Sequence, residues 1–293
     1  MTTPPRGFTA TDFMLFMMAT IWAVNFSVVK FATGIITPLA FTGLRVGMAA
    51  AVLIVIAIVS DSPWPGKRDF VILLAIGVLG HGLYQYLFVE GLSRTRAGHA
   101  ALIVAAAPAF IMVASRIRGI EPIRRNMLIG IALSVVGVGL IISDSAHSPA
   151  GRATLAGSLL MVAAVMTWTT FTVLLQPYTL QYSPLKLSAI TMIGGLVPLL
   201  VVSGPALAAT EWLAIPLPAW IAVVYASIVS MVIAYLFWYR GIKTLGPTRT
   251  SVYSNIQPVI ALAIAWIFLR EVPTLWQTIG ATTIISGVLF TRA

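Results

Sequence analysis

Long apolar runs alternate with short polar links along the whole chain of 293 residues. Each run is about 17–25 residues long, which is the length that an α-helix needs to cross a hydrocarbon core about 30 Å thick. The pattern predicts ten membrane-spanning helices, which begin near Asp12, Pro38, Asp69, Ala97, Asn126, Ala153, Pro184, Leu217, Thr248 and Thr274. The fold class that we predict is an all-α integral membrane protein without a soluble domain.

The composition supports this fold class and removes several kinds of chemistry. Hydrophobic residues make up 59% of the chain and charged residues 9%, and the mean hydropathy is +0.98. So little polar surface cannot coat a soluble globule of this size. The sequence contains no cysteine and no GxxxxGK[ST] phosphate loop, so disulfides, thiolate metal sites and direct use of ATP are excluded.

The basic residues in the links predict the orientation of the chain. With the N-terminus in the cytoplasm, eleven Lys and Arg residues fall on the cytoplasmic side and five on the opposite side, which favours cytoplasmic N- and C-termini. The cytoplasmic set is Arg6, Lys67, Arg68, Arg116, Arg118, Arg124, Arg125, Arg240, Lys243, Arg249 and Arg292. The opposite set is Lys30, Arg94, Arg96, Arg152 and Arg270. The formal net charge of +10 therefore indicates contact with anionic lipid headgroups and not a nucleic-acid partner.

The sequence also shows an internal duplication. Trp22 and Pro38 recur as Trp168 and Pro184, at an offset of 146 residues. Five further pairs recur in order at an offset of 150, namely Gly91/Gly241, Pro108/Pro258, Glu121/Glu271, Gly130/Gly280 and Gly137/Gly287. The pattern predicts two repeats, residues 8–143 and 152–293, of five helices each. Because five is odd, the second repeat is inverted in the membrane, and a central cavity is expected between the two halves.

The stretch SVYSNIQP, residues 251–258, is unusually polar for a membrane helix. At 100° per residue, Ser251, Ser254, Asn255 and Pro258 share one face, and two further polar residues flank it. Unpaired polar groups in hydrocarbon cost several kcal/mol each, so this face should avoid lipid. Polar residues of this kind can also simply hold helices together, but their clustering favours a cavity wall.

A proline duplicated at the same place in both repeats adds backbone polarity to this cavity. Pro108 and Pro258 lack an N–H group and should kink the fourth and ninth helices near mid-membrane. Pro258 should also leave the Ser254 carbonyl, four residues earlier, without a donor.

Other helices carry similar faces. His81, Tyr84 and Gln85 share a face of the third helix, and Trp22 and Asn25 share a face of the first. Tryptophan usually lies at the lipid headgroups, but Trp22 and Trp168 lie well inside the first and sixth helices. The candidate cavity residues are Trp22, Asn25, His81, Tyr84, Gln85, Trp168, Ser230, Tyr235, Trp238, Tyr253, Ser254, Asn255 and Gln257, with kinks at Pro108 and Pro258.

The chain resembles the EamA-type drug/metabolite transporter superfamily. The resemblance rests on the ten helices, the two five-helix repeats, the paired tryptophans, the mid-helix prolines and the glycine-rich last helix of each repeat (GIALSVVGVGL and GATTIISGVLF). The resemblance covers nearly the whole chain, and within the superfamily the chain is most similar to the YddG-type exporters of aromatic amino acids and related metabolites. The resemblance implies a bacterial inner-membrane exporter. Its cavity would be lined mainly by the first, third, fourth, sixth, eighth and ninth helices.

The charged residues limit both the cargo and the driving force. All eight acidic residues lie in links or near span ends, namely Asp12, Asp61, Asp69, Glu90, Glu121, Asp144, Glu211 and Glu271. Ion coupling commonly uses a buried carboxylate, so the sequence favours downhill movement or proton coupling through His81. Arg45, about eight residues into its span, is expected to anchor or pair its helix. A cavity without converging cations suits small neutral or zwitterionic molecules, and amino acids fit, aromatic ones especially.

We therefore predict a secondary transporter that exports such metabolites by alternating access. A broad drug or toxicant exporter of the same superfamily is the main alternative. A membrane sensor is disfavoured, because it would not need polar faces on several helices. A membrane-embedded enzyme is disfavoured, because the three histidines, His81, His99 and His147, fall on separate segments without an interior carboxylate. We expect no catalytic residue, metal or cofactor. The expected partners are the small-molecule substrate and membrane lipids, and a monomer suffices for this arrangement.

Overall fold

A computed structural model describes residues 9–120, 125–146 and 151–290, and within these ranges the chain is helical and forms no strand. The main helices are α1 (Ala10–Thr33), α2 (Pro38–Val59), α3 (Lys67–Arg94), α4 (Ala97–Ile117), α5 (Arg125–Ala146), α6 (Gly151–Gln181), α7 (Pro184–Ala209), α8 (Leu217–Leu245), α9 (Pro247–Leu269) and α10 (Leu275–Phe290). Several residues on which the predictions depend lie outside the described residues. They are residue 8 and residues 291–293 at the repeat bounds, Arg6, Glu121, Arg124, His147 and Arg292.

In the described part of the chain, eight helical segments are long and apolar enough to cross a membrane, namely those of α1–α4 and α6–α9. Large apolar side chains also point away from the protein. Ile58 is 66% exposed, Val201 76% and Phe268 75%. Apolar surface on many helices is unfavourable in water but matches hydrocarbon. The protein is therefore a multi-pass membrane protein.

Among the described residues, four helices contain π-helical, 3₁₀ or turn segments, and these segments fall at related places. α3 contains a π-helical stretch at Val78–Leu83, and α8 contains one at Tyr225–Ile233. α4 is interrupted at residues 105 and 106, and α9 by a 3₁₀ turn at Tyr253–Ile256. Pro108 and Pro258 each lie in the first turn of the helical piece that follows, where a missing N–H costs no helical hydrogen bond. The duplicated prolines therefore mark duplicated helix breaks.

The ends of the helices follow from local chemistry. Thr9 and Asp12 form a capping box at the start of α1, in which the Thr9 backbone N–H donates to Asp12 Oδ2 at 2.7 Å. Proline occupies the first turn of α2, α7 and α9, where its fixed φ angle favours the helix. Gly246, between α8 and α9, has a φ angle of 82°, which glycine adopts without steric cost.

The helices of the two halves pack together in pairs. α2 lies along α7, α5 lies along α10, and α4 contacts α9. α3 packs on α6, and α1 packs on α8. The buried core lies between these pairs, and it is there that α1, α3, α6 and α8 bring their aromatic side chains together.

Candidate functional site

One cavity lies at the centre of the bundle, between α1, α2, α3, α4, α6, α8 and α9. The resemblance implied six of these helices, and the structure adds α2, which contributes Arg45. The wall is formed by Trp22, Asn25, Phe26, Arg45, Tyr84, Gln85, Phe88, Val104, Ala107, Ile111, Val165, Trp168, Ser230, Met231, Tyr235, Trp238, Ser251, Ser254 and Gln257. Most of these side chains are buried, so the wall belongs to the interior of the bundle.

The structure brings ten of the thirteen candidate cavity residues into this wall. They are Trp22, Asn25, Tyr84, Gln85, Trp168, Ser230, Tyr235, Trp238, Ser254 and Gln257. That these residues contact substrate stays a prediction. The other three, His81, Tyr253 and Asn255, lie elsewhere, for reasons that follow from the helix geometry.

Five aromatic residues, Trp22, Tyr84, Trp168, Tyr235 and Trp238, form what we call the aromatic cluster. The Trp22 ring centroid lies 5.7 Å from that of Trp168, 5.6 Å from Trp238 and 5.5 Å from Tyr235. Trp168 lies 5.2 Å from Trp238 and 5.0 Å from Tyr84. Each such pair is worth about 0.5–1.5 kcal/mol beyond its buried area. The cluster therefore gives the cavity a rigid aromatic wall that is built from both halves of the chain.

Several polar atoms in the same wall lack a partner. The Trp22 indole donates to the Ser230 carbonyl at 3.1 Å, within the π-helical stretch of α8. By contrast, Asn25 Oδ1 and Trp238 Nε1 are buried without a hydrogen bond to any described residue. A buried polar atom left unpaired costs about 1–3 kcal/mol, so these atoms favour a bound polar molecule or water.

Arg45 lies in the cavity wall and is only 1% exposed. Its Nη2 atom donates to Gln85 Oε1, and Gln85 Nε2 donates to the Tyr235 hydroxyl at 2.8 Å. The guanidinium carbon lies 5.5 Å from the Phe41 ring centroid and 5.8 Å from that of Phe88. The expected link from α2 to another helix is therefore present, through Gln85. Anchoring at the membrane surface is wrong for Arg45, because the side chain points inward.

His81 does not lie in the cavity wall, although it was predicted to share a face with Tyr84 and Gln85. It sits in the π-helical stretch of α3. The wider π-helical turn changes the angle between residues that are three or four positions apart, so they no longer share one face. The ring is fully buried, and its Nε2 atom lies 3.0 Å from the Tyr239 hydroxyl. That hydroxyl lies 3.1 Å from Thr191 Oγ1, so His81 connects α3 with α8 and α7 behind the wall.

The 3₁₀ turn in α9 changes which polar residues face the cavity. Three residues per turn bring Ser251, Ser254 and Gln257 into line, and all three form part of the wall. Asn255 is not part of the wall, and its Oδ1 atom is buried without a hydrogen bond to any described residue. Tyr253 lies away from the cavity, and its hydroxyl donates to Asp12 Oδ1 at the start of α1. The prediction for Asn255 assumed 100° per residue, which does not hold here, and Tyr253 was placed only beside the polar face.

The same turn supplies a donor to the carbonyl that Pro258 was expected to leave free. The Gln257 N–H donates to the Ser254 carbonyl, so the break is satisfied locally by a tighter hydrogen bond. The backbone at this kink therefore contributes less free polarity than the sequence indicated. The side chains of α9 carry the polar character of this part of the wall.

Other wall residues were not among the sequence candidates. Phe26 shares the predicted face of Trp22 and Asn25, and Phe88 shares that of Tyr84 and Gln85, but neither was chosen as a site residue. Ser251 was placed on the polar face of α9 but was not chosen as a site residue. Arg45 could have been found from its charge, since an ionisable residue within a span is a functional candidate by default.

A polytopic helical protein whose two halves enclose a polar and aromatic cavity has the architecture of a membrane transporter. The EamA-like transporter family model matches residues 9–143 and 155–293. The chain therefore belongs to the EamA-like transporter family.

Similar proteins include transporters from several bacteria. An uncharacterized transporter of Bacillus subtilis, YyaM, is 27% identical over 94% of this chain and 91% of its own length. A probable amino-acid metabolite efflux pump of Salmonella typhimurium is 25% identical over 94% of this chain and 92% of its own. A probable terminal-alkyne amino-acid exporter of Streptantibioticus cattleyicolor is 25% identical over 92% of each. A solved crystal structure has the same fold, with a TM-score of 0.67 at 18% identity over 97% of this chain and 98% of its own.

Proposed function

We propose that this transporter exports small neutral or zwitterionic metabolites, chiefly amino acids and among them aromatic ones. The observation that carries the proposal is the cavity, which combines the aromatic cluster with the unpaired polar atoms of Asn25 and Trp238. Aromatic faces can hold an apolar side chain and attract an ammonium group, while the free polar atoms bind the charged ends. The names of the two exporters from Salmonella and Streptantibioticus agree with this substrate class.

The proposed architecture is ten transmembrane helices arranged as two inverted repeats, residues 8–143 and 152–293. The π-helical stretches of α3 and α8 support it, as do the breaks before Pro108 and Pro258. Packing of α2 on α7 and of α5 on α10 agrees with an axis that relates helices five apart in the chain. In this arrangement α5 and α10 are the fifth and tenth spans. We propose that the protein acts as a monomer in contact with lipid.

The proposed mechanism is alternating access, in which the two halves rock about the central cavity. At the proposed cytoplasmic end, the contact between Tyr253 and Asp12 joins α9 to α1. At the opposite end, Glu271 accepts hydrogen bonds from the backbone N–H groups of Ala97 and Gly98, both at 3.2 Å. These contacts join different helices at opposite ends. Breaking one set while keeping the other would open the cavity to a single side.

Movement of substrate down its own gradient is the proposed driving force. His81, the residue that the sequence offered for proton coupling, lies behind the wall and bonds to Tyr239 instead of facing the cavity. A proton switch that acts on substrate would need to contact either the cavity or a group that changes with the two states.

The proposed location is the inner membrane of a bacterium, with both termini in the cytoplasm, as the distribution of basic residues favours. The absence of cysteine in the sequence makes this easy to test, because single cysteines can be added without background. A cysteine at Ser62 should react with a membrane-impermeant thiol reagent only in inverted vesicles. A cysteine at Thr210 should react only in right-side-out cells, and the reverse pattern would overturn the orientation.

The test of function is flux of labelled amino acids in liposomes that contain only this protein, with and without a pH gradient. We expect saturable movement of L-phenylalanine that the gradient does not change, and none in protein-free liposomes. If no amino acid moves, the substrate class is wrong. If flux rises with the proton gradient, downhill movement is wrong.

A broad drug exporter is the second candidate, because the aromatic cluster would also accept flat lipophilic molecules. A lipophilic dye without a positive charge, added to the same liposomes, distinguishes the two. Transport of the dye without transport of amino acids would favour the drug exporter.

A further inference from the structure

Arg45 is a buried positive charge for which the described residues provide no counter-ion. It is 1% exposed, and the ion pairs among the described residues are those of Arg94 with Glu90 and of His99 with Asp144. Arginine stays protonated in proteins, so the charge cannot be removed by loss of a proton. A buried charge without a partner is costly, and binding an anion would relieve that cost.

The hydrogen-bonding capacity of Arg45 is also largely unused. A guanidinium group carries five N–H donors, and Arg45 bonds through Nη2 to the neutral amide of Gln85. Its Nε atom is buried and makes no hydrogen bond within the described part of the chain. A carboxylate can accept two parallel hydrogen bonds from a guanidinium group, a geometry that a neutral amide does not reproduce.

The surroundings fix the position of Arg45 relative to the aromatic cluster. Gln85 donates through Nε2 to the Tyr235 hydroxyl at 2.8 Å, which turns its Oε1 atom toward Arg45. The Tyr235 ring in turn lies 5.5 Å from that of Trp22 and 5.6 Å from that of Trp168. The charge and the aromatic wall therefore belong to one continuous surface of the cavity.

We propose that Arg45, positioned by Gln85 and Tyr235, binds a carboxylate group of the transported molecule while the aromatic cluster holds its apolar part. This inference rests on the proposed function and makes it more specific, since it requires a free carboxylate in every good substrate. It also extends the substrate class from zwitterions to small monocarboxylates with an apolar body. Gln85 is a positioning residue, because it acts by orienting Arg45.

The test compares three compounds that differ in one group, L-phenylalanine, its carboxamide L-phenylalaninamide, and phenethylamine, which lacks the carboxyl carbon altogether. Each competes with labelled L-phenylalanine for flux through the wild-type protein in liposomes. We expect the two compounds without a carboxylate to compete about ten- to hundredfold more weakly, which is the effect of losing charge-assisted hydrogen bonds. Equal competition by the amide would overturn the inference while leaving amino-acid export intact.

Variants of Arg45 then test whether this residue causes the preference for a carboxylate. Arg45→Gln should abolish the discrimination between acid and amide, and Arg45→Lys should keep part of it, since Lys retains the charge but not the planar geometry. Gln85→Met should cause a smaller loss. Unchanged discrimination in a folded Arg45→Gln protein would overturn the inference. If a variant does not fold, the wild-type comparison decides.

Lys186 provides a matched control. It is a fully buried cation at the start of α7, and it donates to the carbonyls of Ala57 and Ser60, outside the cavity wall. Lys186→Gln should leave unchanged the ratio between the strength of competition by L-phenylalanine and that by L-phenylalaninamide. Equal loss in Lys186→Gln and Arg45→Gln would show that the ratio reflects general damage and would overturn the assignment to Arg45. Failure of the wild-type protein to move L-phenylalanine would instead contradict the proposed function.

Discussion

At the scale of single residues, Trp22 shows how burial and contact decide what a side chain can do. Tryptophan commonly lies at the headgroups, but Trp22 contacts Trp168, Tyr235 and Trp238 and donates to the Ser230 carbonyl. Tyr235, Trp238 and the Ser230 carbonyl belong to α8, and Trp168 belongs to α6. The Trp22 indole therefore joins α1 to both α6 and α8 in one wall of the cavity.

Trp168 is the residue with which this aromatic wall can be tested. We expect Trp168→Leu to raise the KM for L-phenylalanine about two- to tenfold, because one aromatic contact worth about 0.5–1.5 kcal/mol is lost. Flux of alanine should change less, since it fills less of the wall. The control is Trp276→Leu, because Trp276 is 52% exposed on α10. Equal KM values in the two variants would show that Trp168 does not contact the substrate.

His81 should be a structural residue and not a coupling residue. His81→Ala removes a hydrogen bond to Tyr239 and opens a small void, which should destabilise the protein by about 1–3 kcal/mol and lower its melting temperature in detergent. The KM of the folded variant should stay within about twofold of wild type, because the contacts between the cavity wall and the substrate do not change. A folded variant that loses transport or gains sensitivity to a pH gradient would contradict this assignment.

At the scale of the helices, local departures from α-geometry decide which side chains reach the cavity. The 3₁₀ turn of α9 places Gln257 in the cavity wall and leaves Asn255 out of it. The π-helical stretch of α3 places His81 behind the wall. Each departure changes the angle between successive residues. Side chains that follow a π-helical or 3₁₀ segment therefore point in directions that differ from those predicted with about 100° per residue.

Two neighbouring amides on α9 test this change of register. Gln257→Ala should raise the KM for substrate severalfold, since a hydrogen bond within the site contributes about 0.5–1.5 kcal/mol. Asn255→Ala, two residues away, should leave the KM unchanged. Liposome flux at several substrate concentrations measures both. The opposite order would mean that regular α-helical spacing describes α9 better than the 3₁₀ turn does.

At the scale of the whole molecule, close contacts between the two halves hold the bundle together. α5 and α10 approach each other where Gly137 meets Gly280. A Cβ atom added at Gly137 would lie 2.5 Å from Ile284 Cγ1 and 2.8 Å from the Gly280 carbonyl oxygen. Membrane helices use such small residues because close packing replaces the hydrophobic effect that is missing in lipid.

Adding a methyl group at this crossing tests the contact between the halves. Gly137→Ala should force α5 and α10 apart and destabilise the protein by about 1–3 kcal/mol, as overpacking does elsewhere. Gly139→Ala is the matched control on the same helix, because a Cβ atom there meets nothing within 4 Å. Melting temperatures in detergent compare the two. Equal melting temperatures would show that α5 and α10 do not need the glycine contact.

The sequence alone determined the helical membrane class, because apolar runs of spanning length have few other stable forms. It also located most of the cavity wall, since polar and aromatic faces such as those of Trp22 and Gln85 must avoid lipid. The positions of Pro108 and Pro258 predicted the helix breaks, because a proline ring removes the same hydrogen bond in any helix.

The tertiary structure decided the rest. Whether Arg45 points to the surface or inward depends on which helices surround α2, and no local pattern records that. The places of His81, Tyr253 and Asn255 depend on π-helical and 3₁₀ turns that regular spacing does not predict. The unpaired state of Arg45 also depends on residues far apart in the chain, because a charge is neutralised through space. For these reasons the sequence predicted where the cavity would lie, and the fold decided which charge it contains.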